Sequence, residues 1–78
     1  MSGDGFDYVR EPQTGLYARV RAVPGVVMDG QQVWGVEIAE GVDGPWQAER
    51  DVLARTARQA LDRVRMRIRD RFVRFRDR

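Results

Sequence analysis

The sequence predicts an α+β fold: an antiparallel β-hairpin or small sheet over 16–23, 26–28 and 31–39, then one long amphipathic helix over 45–75, assembled into an oligomer. Three observations carry this reading. Apolar residues alternate with period two between Leu16 and Ala39, and Asp29-Gly30 interrupts that alternation with the residue pair a tight hairpin turn demands. From Leu53 to Phe75, apolar residues instead recur at three- and four-residue steps.

Taken in order, residues 1–15 are rich in Gly, Asp and turn residues and offer only Phe6, Tyr8 and Val9 for burial, so they read as a flexible arm or an edge strand. Residues 16–78 then form a single small domain. In the first strand Leu16, Ala18, Val20 and Ala22 share one face and Tyr17, Arg19 and Arg21 the other. A two-residue turn at Asp29-Gly30 pairs Met28 with Gln31. Continued unbroken, that register sets small apolar residues against polar ones. One extra residue at Pro24-Gly25, a bulge, corrects it and pairs Val20 with Ile38, Ala22 with Val36 and Arg21 with Glu37. Proline has no N–H for a ladder, which also favours a bulge at that point.

Gly41 to Gly44 reads as a turn and Pro45 as the first residue of the helix, with Glu49 and Asp51 near its positive end. Leu53, Ala57, Ala60, Leu61, Val64, Ile68, Phe72 and Phe75 then fall in one stripe, broken only by Arg71, and no Gly or Pro follows Pro45. A competing pattern exists in Arg63-Val-Arg-Met-Arg-Ile-Arg69, whose strict alternation suits a strand. Helix is preferred because Val64 and Ile68 extend the stripe that Leu53 and Leu61 begin. A helix over 45–75 would be about 45 Å long, against roughly 30 Å across a compact domain of this size. It would overhang, so Leu53, Leu61, Val64, Ile68, Phe72 and Phe75 are the expected oligomer or partner interface.

The chemistry available is narrow. The chain has no Cys, His, Lys or Asn, and its only side-chain hydroxyls outside tyrosine are Ser2, Thr14 and Thr56. Nucleophilic triads therefore lack a base, and no metal-ligand or phosphate-loop spacing occurs. No catalytic residue, cofactor or metal is expected. No apolar run approaches the length of a membrane span, and the first ten residues lack the pattern of a signal peptide, so the expected location is cytoplasmic.

Charge is distributed unevenly. Residues 1–49 hold eight acids against three arginines and residues 50–78 eleven arginines against four aspartates, so charges of −5 and +7 lie behind a total of +2. On a helix, Arg58, Arg65, Arg69 and Arg76 border the apolar stripe on one side, while Arg63, Arg67, Arg74 and Arg78 border it on the other. Like charges four apart cost about 0.2–0.5 kcal/mol each, which an anionic partner would relieve. Three functions fit: a homo-oligomeric adaptor or regulator docking on an acidic protein surface or larger complex, which is favoured; a nucleic-acid-binding regulator contacting phosphates; and peripheral binding to anionic membrane, the least favoured. The all-arginine usage is equally a signature of GC-rich codons, so it does not discriminate between them.

Overall fold

The computed structural model describes residues 5–76, with side chains as far as residue 71. Four strands, β1 (Asp7–Arg10), β2 (Tyr17–Met28), β3 (Gln31–Ala39) and β4 (Gln47–Ala54), form an antiparallel sheet in the order β1-β2-β3-β4. A single helix, α1 (Ala57–Arg76), lies across one face and touches all four strands.

The hairpin is built as its residues dictate. Asp29 and Gly30 have φ of 53° and 73°, and Met28 stands opposite Gln31. Positive φ at both central positions is the backbone of a type I′ turn, whose twist matches that of the flanking strands. The bulge also falls where expected, between Ala22 and Val27, with Gly25 at φ 77°. Its size differs: Val23 to Val26 all stand against Val33 alone, so three extra residues are absorbed instead of one. Val20 consequently meets Val36, Ala22 meets Trp34, and Arg19 replaces Arg21 opposite Glu37. One and three are both odd, so the same faces still oppose each other. Residues 7–10 take up the edge-strand alternative, with Tyr8 opposite Arg19 and Val9 opposite Ala18.

The helix boundary is corrected. Residues 47–54 are strand, Pro45 follows a cis peptide bond in the β3–β4 loop, and the helix begins at Ala57. Gln47-Ala-Glu-Arg-Asp-Val-Leu-Ala54 has helical propensity, but propensity is a weak preference of tenths of a kcal/mol per residue. A helix there would leave the outer edge of β3 without hydrogen-bond partners. As a strand, β4 pairs that edge, places Val52 opposite Trp34, and offers the Ala54 carbonyl to the buried Trp34 Nε1–H at 3.0 Å. A register shift sets Arg50 and Asp51 together against Gly35.

Thr56 caps the N-terminus of the true helix, and Gln59 reaches back to the residue before the cap. The Gln59 amide donates to Thr56 Oγ1 at 3.1 Å, Gln59 Oε1 accepts from the Arg55 amide at 2.8 Å, and the Ala60 amide donates to the Thr56 carbonyl at 3.0 Å. Thr56→Ala is expected to cost about 1 kcal/mol, read as a lower urea midpoint with an unchanged slope.

From Ala57 to Ile68 the predicted stripe is the packing face, and 63–69 is helix, not strand. Ala60, Val64 and Ile68 join Ala18, Val20, Trp34, Val36, Val52 and Ala54 in one core, with Ala57 and Leu61 packed at its margin. Twenty residues reach about 30 Å, inside the molecule's 40 Å long dimension. Val64 and Ile68 are buried against the chain's own sheet, so neither lies on the exposed seam that the longer helix implied. Among the described residues, no helix is long and apolar enough to cross a membrane.

Candidate functional site

The helix arginines lie along the two predicted borders, and most of them are engaged within the chain. On one border, Arg63 donates to the Leu53 carbonyl and Arg67 to those of Arg50 and Asp51, at 2.7 and 3.4 Å. These carbonyls belong to β4, an edge strand, so the guanidinium groups cover backbone acceptors that could otherwise recruit another strand. On the opposite border, Arg65 pairs with Asp62 at 3.1 Å and Arg69 with Glu11 at 3.3 Å. Arg71 reaches Glu49 at 2.9 Å across the wall of a cleft of about 470 Å³ floored by Leu16, Ile38, Pro45 and Ile68.

Glu11 is fully buried. Its Oε1 accepts from the Thr14 amide at 2.8 Å, its own amide donates to the Leu16 carbonyl at 2.7 Å, and its carbonyl accepts from the Gly15 amide at 2.8 Å. Burial opposes ionisation of this carboxyl. The Thr14 amide, Arg69, the Thr14 hydroxyl and the Gln13 amide together outweigh burial and hold it below its ordinary value of 4.5. Glu11 thus fastens the β1–β2 loop to the helix.

The expected site residues separate accordingly. Val64 and Ile68 are core, Leu61 lies at the core margin, and Leu53 is half-buried on β4. Arg63, Arg65, Arg67 and Arg69 have partners within the chain, whereas Arg58 is exposed and its side chain makes no hydrogen bond or ion pair among the described residues. The side chains of Phe72, Phe75, Arg74 and Arg76, and the whole of Arg78, lie outside the described residues.

A different cluster occupies the face of the sheet turned away from α1. Because Ala18, Val20 and Ala22 point at the helix, Arg19 and Arg21 must point away from it. The Arg19 guanidinium lies between two rings, 4.1 Å from the centroid of Phe6 and 4.3 Å from that of Trp46. Glu37 on the neighbouring strand accepts from Arg19 at 2.7 and 2.8 Å. Burial opposes the Arg19 charge, but hydrogen bonding to Tyr8 and to Glu37 outweighs that and raises its pKa above the ordinary value. The cation is therefore permanent. Tyr8 meets the edge of Trp46 at 5.9 Å and lies 6.3 Å from Phe6, while Arg21 stands 4.6 Å over Phe6.

Local geometry makes room for this layer. Gly44 has φ 89°, and a Cβ there would fall 2.9 Å from the Trp46 amide nitrogen and 3.0 Å from Trp46 Cδ1, so a side chain at 44 would displace the indole. Beside the rings runs a shallow trough of about 330 Å³, bordered by Phe6, Arg21, Gly35, Glu37, Ala48 and Asp51.

No protein-family model, curated protein or solved structure matches the chain. The site is therefore read from its own chemistry. Flat guanidinium and indole surfaces held by stacking and a carboxylate offer contact area at little further cost in side-chain entropy. Such a layer is suited to recognition.

Proposed function

We propose that the protein is a non-catalytic adaptor or regulatory module that binds a protein partner through the open face of its sheet. The observation that carries this is the Arg19 guanidinium stacked between Phe6 and Trp46, with Tyr8 against the indole. Trp, Tyr and Arg are the residues that dominate binding energy in protein interfaces, and here they are preorganised before any partner arrives. The helix supports the same reading from the other side: Ala60, Val64 and Ile68 of its apolar stripe pack in the core and five of its arginines are occupied within the chain, which leaves the open sheet face for a partner. Phosphate recognition is less well supported there, because Glu37 neutralises Arg19 and Asp51 borders the same trough.

The test compares tagged wild type, Trp46→Ala and Arg58→Glu as baits in an extract of the cells that make the protein, with captured proteins quantified by mass spectrometry. A partner retained by wild type and Arg58→Glu and reduced at least tenfold with Trp46→Ala is expected, since loss of a hot-spot residue costs about 2 kcal/mol or more. A partner lost with Arg58→Glu and retained by Trp46→Ala would move the interface to the helix and defeat the proposal.

A further inference from the structure

We infer that the trough on the open sheet face receives a second copy of this chain, in a twofold arrangement that brings Arg21 of each protomer to Asp51 of the other. This rests on reading that face as a binding surface and names one occupant for it.

A twofold interface must be complementary to itself: raised features and hollows, and charges of both signs, have to occur within one patch. The open face meets each condition. Its raised part is the aromatic layer of Phe6, Tyr8 and Trp46 around Arg19, and its hollow lies alongside, lined by Gly35, which has no side chain, and the small Ala48. The charges are likewise divided. Glu37 is satisfied by Arg19, and Glu49 by Arg71. Arg21, on β2, is exposed and lies over a ring, with no carboxylate paired to it among the described residues. Asp51, on β4, is exposed, and its carboxylate has no cation paired to it among the described residues; Arg67 approaches only its backbone carbonyl.

One unpaired cation and one unpaired anion therefore border the same trough from strands on either side of β3. A second copy turned about a twofold through the trough answers both, twice. Area is sufficient as well. The molecule measures 40 × 29 × 18 Å, and its broad face exceeds the roughly 800 Å² per partner of a standard interface. Covering that face would also add apolar burial to a chain whose small size limits its own core.

Sedimentation equilibrium of the purified full chain tests this at concentrations from one to a hundred micromolar, with circular dichroism to verify folding. Wild type is expected at the mass of two chains. Arg21→Asp and Asp51→Arg, both at exposed positions, should each weaken association at least tenfold, while the double variant R21D/D51R restores it because the exchanged charges meet again. Restoration requires that the contact lie between copies of the same chain. A one-chain mass for wild type throughout the range overturns the inference, as does a two-chain mass that neither single reversal alters or a double variant that stays dissociated. A monomeric wild type whose partner capture still depends on Trp46 would remove only this inference. Capture indifferent to Trp46 in a protein that dimerises through Arg21 and Asp51 would remove only the adaptor reading.

Discussion

Val64→Asp is expected to abolish cooperative folding at neutral pH. Val64 is fully buried within the core cluster that joins α1 to β2, β3 and β4. An aspartate there would be an unpaired charge among Ala, Val, Ile and the indole of Trp34. Its desolvation costs several kcal/mol, against a total stability of about 4–12 kcal/mol for a domain of this length. The far-UV spectrum should lose both helix and strand signals, and urea unfolding should show no baseline for a folded state. Val64→Ala, which removes two methyl groups without burying charge, should cost about 2 kcal/mol and keep the transition. If Val64 belonged to an intersubunit seam instead, Val64→Asp would give a folded, soluble single chain with near-native circular dichroism.

Glu11→Ala is the second large effect, at about 3 kcal/mol, near the lower end for breaking a buried pair because Arg69 is itself one-third exposed. The loss has two parts: the Thr14 amide loses its acceptor, and Arg69 loses its counter-charge. Glu11→Gln separates them, since it retains an acceptor for the amide and discards the charge. Because the folded-state pKa of Glu11 lies below its ordinary 4.5, its ionised form stabilises the fold fully above that value, and this contribution fades as pH falls through the folded-state value. The stability gap between wild type and Glu11→Gln should therefore be largest near neutrality and shrink below about pH 4.5. Urea midpoints measured from pH 3 to 7 give this directly. A gap that stayed constant across the range would show that the charge contributes nothing.

Local chemistry explains which parts of the fold are legible from the residues. Asp29-Gly30 and Pro24-Gly25 announce a turn and a bulge because each needs backbone angles or a missing donor that few residues supply. The number of residues in the bulge is not written locally. It depends on how Ala22 and Trp34 seat against the core, and only its odd parity follows from the side-chain alternation. Strand β4 is misleading because Leu53 happens to continue the helical stripe and Ala, Glu and Arg suit either state; the requirement that decides it belongs to the unpaired edge of β3. The true helix start is carried by Thr56, whose hydroxyl caps the Gln59 amide. Pro45, well suited to a first helical turn, draws the predicted start to position 45 in place of Ala57.

The candidate site is a harder case. The arginine borders of the helix follow from periodicity alone, but what they touch does not. Arg69 meets Glu11 across 58 positions, and Arg67 meets Arg50 across 17. The aromatic layer draws Phe6 from ahead of β1, Arg19 from β2 and Trp46 from the β3–β4 loop, and no spacing within any one segment marks the three as neighbours. The partial signal is on β2: with Ala18, Val20 and Ala22 facing inward, Arg19 and Arg21 are fixed on the outer face as cations awaiting neighbours.

The central claim is that α1 completes the protein's own core and that association uses the opposite face of the sheet. Amide hydrogen exchange, in protein diluted until sedimentation gives the mass of one chain, tests it most directly. Slow exchange is expected for the amides of Val64 and Ile68, matching those of Val20 and Val36, because helix and sheet open together as one unit. If the helix amides exchange orders of magnitude faster than those of the sheet in the single chain, and become protected only as copies associate, the helix is a seam and the account is contradicted.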